Sequence, residues 1–276
     1  MRGTLAHLVR TLLCWACILL IVFPLLWMLL TSFKPEDEVF SVPVKLLPEE
    51  WTIEYYRILI EETAFPTYFL NSLVVSTATT LLVVAVATIG AYSIVRFSYR
   101  GRAFIASGIL LSYLLPSVVL IIPLYMMMVE IGLANSLASL VLAYASFALP
   151  FALWLLRSFM AAIPEDLESA AMIDGASRLE AFVDVVLPQA LPGIISTMLF
   201  TFILAWNEYL FALVLVNADA VRPLTTGVMT MLVSGFNIEW SLLMAASVLM
   251  SLPLIVILAF LQSYLVRGFG AGAVKG

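Results

Sequence analysis

Histidine and cysteine, which build most zinc sites and many nucleophilic centres, are nearly missing from this sequence. Its 276 residues contain one histidine and two cysteines. An HExxH zinc site needs two histidines and is excluded, and a membrane Ser–His pair is unfavourable because His7 precedes the first apolar run. Cys14 and Cys17 share that run and are too few for a disulfide framework. These absences disfavour an enzyme embedded in the membrane.

Lysine is also scarce, and no lysine can belong to a phosphate-binding loop. A Walker A loop requires Gly-Lys followed by Ser or Thr. The lysines instead follow phenylalanine or valine: Lys34, Lys45 and Lys275. If ATP drives this protein, a partner must bind it. The formal net charge of −5 also disfavours nucleic-acid binding, which needs a basic surface.

Charged residues make up only 11% of the chain, whereas hydrophobic residues make up 63% and the mean hydropathy is +1.11. Soluble domains carry about 25% charged residues. Six apolar runs are long enough to cross a bilayer, which takes about 20 helical residues, and none alternates like a barrel strand. The runs are residues 11–31, 68–94, 103–128, 136–156, 192–216 and 240–266. The sequence therefore predicts an all-α, polytopic membrane protein, with a six-helix transmembrane bundle in a single domain over residues 1–276.

The distribution of basic residues predicts that both termini are cytoplasmic. With this orientation, nine of the 13 Lys and Arg residues lie inside. The first run is too long for a signal-peptide core and lacks a cleavage site, so we interpret it as a retained helix. The external segment of about residues 33–67 is acidic, and its Trp51, Tyr55 and Tyr56 suit either the membrane interface or a partner.

The longest internal segment, residues 158–191, begins with a helix-start pattern. Pro164 suits the first helical position, and Glu165 and Asp166 follow in the first turn, where negative charge complements the helix dipole. Gly175 lies where a helix would end in a left-handed residue. The intervening residues 169–171 are small, which would let another protein's backbone approach closely.

A second short helix is predicted directly after this glycine. Ser177 and Glu180 match the S-x-x-E capping box. An apolar stripe follows, and Pro188 and Pro192 are expected to separate this helix from the fifth membrane run. The whole segment is predicted as a cytoplasmic helix–Gly–helix loop.

A polar interruption lies in the fifth run, at FILAWNEYLFALVL. Asn207 and Glu208 are flanked by the aromatic residues Trp206 and Tyr209. A charged residue at the bilayer centre costs about 2.5–3.5 kcal/mol on insertion scales and usually faces the bundle interior or a watery path. Aromatic faces beside hydrogen-bonding groups suit a sugar ring, and a structural hydrogen bond between helices is the alternative.

The segment SAAMIDGASRLEAFVDVVLP, residues 169–188, resembles the EAA loop of the membrane-spanning subunits of binding-protein-dependent ABC importers. Ser169 stands where that family usually has glutamate, and Glu168 is adjacent. The other pattern residues are in register: Ala170, Ala171, Asp174, Gly175, Leu187 and Pro188. Further stretches resemble the sugar-importer branch, and within it the maltose-type second permease subunits: SFKP, NSL, FALPFALWLLRSF, AWNEYLFAL and the tail GAGAVKG at residues 270–276.

This resemblance implies a permease subunit of a heteromeric importer in the plasma (inner) membrane, working by alternating access. The implied partners are a second permease subunit, two ATP-binding subunits and an extracytoplasmic sugar-binding protein. ATP and Mg²⁺ would be used by the ATP-binding subunits, and this chain would bind no cofactor or metal. The residues that would couple to an ATP-binding subunit are Glu168, Ser169, Ala170, Ala171, Asp174 and Gly175. The resemblance also places Trp206, Asn207, Glu208 and Tyr209 near the translocation path. The tail around residues 272–275 would reach the ATP-binding subunits or simply fray.

Two alternatives remain open at this point. An importer of the same type could carry glycerol phosphate or another small polar solute. An ion-coupled secondary carrier would show several ionisable residues within the membrane or internal repeats, whereas Glu208 is the one clear intramembrane acid.

Overall fold

The computed structural model of the protein describes residues 2–233 and 239–273, in which every regular element is helical. In chain order these are α1 (Arg2–Thr31), α2 (Glu36–Val39), α3 (Glu54–Glu61), α4 (Phe65–Arg96), α5 (Arg102–Tyr113), a 3₁₀ turn (Ser117–Leu120), α6 (Ile121–Glu130), α7 (Leu137–Ala162), α8 (Glu165–Ile173), α9 (Arg178–Ala181), a π turn (Phe182–Val186), α10 (Leu187–Trp206), α11 (Leu210–Leu215), a second 3₁₀ turn (Asp219–Val221), α12 (Leu224–Val233) and α13 (Trp240–Ala273).

Five described helices are long and apolar enough to cross a membrane: Val9–Thr31, Phe65–Arg96, Leu137–Ala162, Arg178–Trp206 and Trp240–Leu261. The helix α5 and the helical segment Ser117–Glu130 are bent by 98° relative to each other. If they form one broken crossing, the number of spans is six. Pro116 lies at this break, where it lacks a backbone N–H and disfavours helical geometry at the preceding residue. The predicted helical, multi-pass architecture is confirmed.

The predicted separation of the second loop helix from the fifth run at Pro188 and Pro192 is wrong. Residues Arg178–Trp206 form one continuous candidate span. The π turn precedes Pro188, and the Leu187 N–H donates five residues back to the Phe182 carbonyl. This wider turn lets the helix continue through a proline that has no N–H to donate. The fifth run ends early instead, because α10 stops at Trp206.

The chain divides into two compact units. One comprises the chain up to Pro66 together with Gly227–Pro253. Within this unit, Glu36 accepts hydrogen bonds from the backbone N–H groups of Trp240 and Ser241, both at 2.9 Å, at the start of α13. A carboxylate in this position satisfies two donors that a helix N-terminus leaves unpaired.

The other unit comprises Thr67–Thr226 together with the chain from Leu254, and its core lies among α4, α7 and α10. Small residues allow these helices to approach closely. A Cβ atom built on Gly193 of α10 would lie 2.3 Å from Cγ of Phe159 on α7, and one built on Gly90 of α4 would lie 2.9 Å from Cδ1 of Leu153. Close approach at small residues is how helices associate in a bilayer.

Candidate functional site

The loop helix α8 is limited at its C-terminus by the predicted glycine. Gly175 has φ +101°, so the predicted left-handed conformation is confirmed. The Gly175 N–H donates to the Met172 carbonyl at 3.2 Å, and the Ala176 N–H donates to the Ala171 carbonyl at 3.0 Å. This pair of bonds is a Schellman motif, which turns the chain sharply at the end of a helix.

The second helix starts with the predicted capping box. The Glu180 N–H donates to Ser177 Oγ at 3.3 Å, and the Ser177 N–H donates to Glu180 Oε2 at 2.7 Å. The short stretch between Gly175 and Ser177 therefore has its direction fixed at both ends, by a helix stop and a helix start.

The small residues of α8 face away from the rest of the chain. Ser169, Ala170 and Asp174 are exposed, and Ala171 is half-buried. Ile173 adds an apolar side chain that is 85% exposed. A surface of small residues without a basic or aromatic face binds lipid headgroups weakly. It suits contact with a protein partner of complementary shape.

Glu168, which the sequence grouped with this surface, lies in the chain's interior instead. Its Oε2 accepts a hydrogen bond from Nε of Arg96 at 2.9 Å, and its Oε1 accepts one from the Tyr92 hydroxyl. The side chains of Arg96 and Glu168 are each 5% exposed. Removing one partner from a buried pair of this kind typically costs about 3–5 kcal/mol, because the other charge is left uncompensated.

Arg96 reaches the segment before α8 as well. Its Nη2 donates to the Ile163 backbone carbonyl at 2.9 Å, and its Nη1 lies 3.6 Å from the exposed carboxylate of Glu165. Sequence reasoning missed Arg96 and Tyr92. Their spacing of four residues at the end of α4 places them on one helix face, but nothing local connects them with a residue more than 70 positions away.

The polar interruption after α10 is a break between two helices. The Trp206 ring is buried and lies 5.7 Å from Phe202 and 5.6 Å from Phe69, measured between ring centroids. Asn207 is exposed, and its side-chain amide donates to the Ile203 carbonyl at 2.8 Å. Tyr209 is half-buried.

Glu208 serves the backbone at this break. Its two carboxylate oxygens accept hydrogen bonds from the N–H groups of Phe211 at 2.9 Å and Ala212 at 3.2 Å, at the start of α11. The Thr225 hydroxyl donates to the Glu208 carbonyl oxygen at 2.6 Å. The four predicted residues thus lie together at this break. Trp206 is buried and Glu208 is bonded to the backbone, whereas Asn207 and Tyr209 have exposed surface.

The tail GAGAVKG belongs only partly to the described residues. The backbone of α13 continues to Ala273, whereas residues 274–276, including Lys275, lie outside the described part of the chain.

Comparison with known proteins identifies the family and the fold. The profile of the family described as "binding-protein-dependent transport system inner membrane component" matches residues 84–270. This range contains the helix–Gly–helix loop and the polar break after α10.

Several characterised relatives match over nearly the full chain. The diacetylchitobiose uptake system permease DasC of Streptomyces coelicolor is 37% identical, over 93% of this chain and 92% of its own. The trehalose/maltose transport system permease MalG of Thermococcus litoralis is 34% identical, over 92% of each chain. The trehalose transport system permease SugB of Mycobacterium tuberculosis is 33% identical, over 92% of this chain and 93% of its own.

Solved structures share the fold. One chain of a bacterial ABC transporter involved in the import of the acidic polysaccharide alginate superimposes with a TM-score of 0.84, covering 96% of this chain and 98% of its own at 22% identity. A chain of an alginate ABC transporter in complex with a pentasaccharide-bound periplasmic protein gives a TM-score of 0.68 at 15% identity, over 92% of each chain.

Proposed function

The chain belongs to the family of binding-protein-dependent transport system inner membrane components, the non-catalytic membrane-spanning permease subunits of ABC importers, and from this premise we infer that it carries a sugar inward. Residues 1–276 act as one transmembrane domain, with both termini on the cytoplasmic side of the plasma (inner) membrane. The transport cycle is alternating access, and the substrate is not changed covalently.

The proposed substrate is a mono-, di- or oligosaccharide. Relatives at 33–37% identity are named for diacetylchitobiose, trehalose and maltose, which are all built from pyranose rings. A relative at 34% identity, from Agrobacterium fabrum, is named for sulfoquinovosyl glycerol. Its solute is a sulfonated sugar ring joined to glycerol, so it lies within the sugar class, and only its glycerol group supports the second candidate, a glycerol phosphate or another small polar solute.

The proposed site of coupling is the exposed face of α8, and this surface carries the proposal. Ser169, Ala170 and Ala171 present small side chains, and Gly175 holds the sharp turn that leaves this face free. An ATP-binding subunit docks there and supplies ATP hydrolysis with Mg²⁺, which this chain does not bind. The complete importer contains a second permease, two ATP-binding subunits and an extracytoplasmic sugar-binding protein.

The proposed translocation path passes the break between α10 and α11. Asn207 and Tyr209 have accessible surface there and suit contact with sugar hydroxyls and a sugar ring. Trp206 and Glu208 stabilise the break rather than line the path, because the indole is buried and the carboxylate caps α11.

Uptake by the complete importer in proteoliposomes tests this function. With the binding protein outside and ATP enclosed, we expect uptake of one member of a radiolabelled panel of diacetylchitobiose, trehalose, maltose and glucose. Uptake of glycerol 3-phosphate alone would favour the second candidate. Uptake driven by a proton or sodium gradient without ATP would contradict the importer function and support an ion-coupled carrier.

A further inference from the structure

A buried ionic cluster joins the cytoplasmic end of α4 to α8. Tyr92 and Arg96 lie one turn apart on α4, and each donates to a different oxygen of Glu168. Glu168 is the only fully buried residue of α8. This helix is therefore attached to α4 through one carboxylate rather than through an apolar face.

The geometry of this attachment is directional. An arginine with a carboxylate forms planar, charge-assisted hydrogen bonds that fix both distance and orientation. The same guanidinium also donates to the Ile163 carbonyl just before α8. Arg96 thus holds α8 at its middle and at its approach, so sliding or rotation of α8 against α4 would break several bonds together.

The other arm of the loop is attached to the same place. The Tyr92 ring lies 4.4 Å from the Phe182 ring in the π turn, measured between centroids. The Arg178 guanidinium lies 5.1 Å from the centroid of Phe97, directly after α4, within cation–π range. Both arms of the helix–Gly–helix loop therefore contact the end of α4.

We propose that Tyr92 and Arg96 are positioning residues that make α8 and α4 move as one body, so that displacement of α8 by an ATP-binding subunit is transmitted to the membrane through α4. This inference rests on the proposed function of α8 as the docking helix. The apolar loop residues Leu179 and Val183 are exposed, at 71% and 46%, whereas Ala181 and Val186 are buried and hold the second arm of the loop to the core. In α8 itself Glu168 is the buried residue, so the ionic cluster is the main rigid connection between this helix and α4.

The test is the number of sugar molecules transported per ATP hydrolysed, measured in the complete importer in proteoliposomes. Glu168→Gln and Arg96→Lys keep the size of each side chain but weaken the directional pair. We expect both variants to co-purify with their partners, to hydrolyse ATP at rates within about twofold of wild type, and to transport at least tenfold fewer sugar molecules per ATP. Asp184→Asn, an exposed acid in the same loop, is the matched control and should keep the wild-type ratio.

A double variant separates transmission from folding. Arg96→Met combined with Glu168→Leu replaces the ion pair by apolar contact, which often preserves stability. An assembled double variant with a reduced transport ratio supports the proposal. A wild-type ratio in the assembled single or double variants would overturn it, and so would loss of assembly in every variant, because the cluster would then serve folding alone. A wild-type importer without ATP-driven sugar uptake would instead refute the proposed function itself.

Discussion

At the scale of single residues, Glu208 shows how a carboxylate is accommodated in an apolar segment. Both oxygens accept backbone N–H groups at the start of α11, where partial positive charge favours an anion. These bonds replace part of the hydration lost on leaving water. The side chain that stood out in the sequence as a functional acid is thus engaged by the backbone of its own chain.

Replacement of Glu208 by alanine should first reduce stability. Loss of a side chain that caps a helix N-terminus typically costs about 1 kcal/mol, so we expect Glu208→Ala to lower the unfolding temperature of the purified complex. Glu62→Ala, at an exposed site directly after α3, should leave that temperature unchanged. An unchanged unfolding temperature with abolished transport would show that the carboxylate serves the translocation path instead.

Gly175 offers a second test at a single residue. Its φ of +101° is strained for any residue with a side chain, although no neighbouring atom lies within 4 Å of an added Cβ. Gly175→Val should therefore turn α8 out of place and reduce co-purification of the ATP-binding subunit or ATP-driven transport several-fold.

Gly132 is a suitable control for that variant. It also has positive φ, at +73°, and no neighbour within 4 Å of an added Cβ, but it lies after α6 and outside the loop. Gly132→Val should impose similar backbone strain without affecting docking. Equal losses in the two variants would mean that general strain, rather than the direction of α8, causes the defect.

At the scale of elements, helix packing depends on close contact between α7 and α10. The ring of Phe159 occupies the space that a side chain at Gly193 would need. Gly193→Ala should destabilise the protein by about 1–3 kcal/mol, the usual cost of overpacking. Gly108→Ala, on α5 with open space around it, should be neutral or slightly stabilising. Chemical denaturation of the two purified variants compares these effects, and an unaffected Gly193→Ala would contradict the described packing.

The elements also show what could be predicted from the sequence. The stop at Gly175 and the capping box at Ser177 and Glu180 are set by residues within a few positions, so their pattern is readable. The π turn could not be predicted in this way, because the prolines after it indicate a break in the helix. The wider hydrogen bond of the π turn instead lets the helix continue, although a proline has no N–H to donate. The pair of Arg96 and Glu168 joins residues far apart in the chain, and no local pattern encodes it.

At the scale of the whole molecule, two exposed surfaces differ in what could cover them. No residue in the most apolar window of the Val9–Thr31 span is buried by the protein itself, which fits contact with lipid or a second permease. The exposed loop helix α8 differs, because its exposed residues are polar or small apart from Leu167 and Ile173. Such a surface gains little from lipid, and we propose that a protein partner covers it.

The central claim is that this chain works as one permease within an ATP-driven importer, and one measurement tests it most directly. The chain is purified by affinity from its native membrane in mild detergent, and the co-purifying proteins are identified. The account predicts a second permease and an ATP-binding subunit, with Gly132→Val retaining both and Gly175→Val showing a several-fold reduction in the recovered ATP-binding subunit or in ATP-driven transport. Recovery of the chain alone, still active in transport after reconstitution, would contradict it.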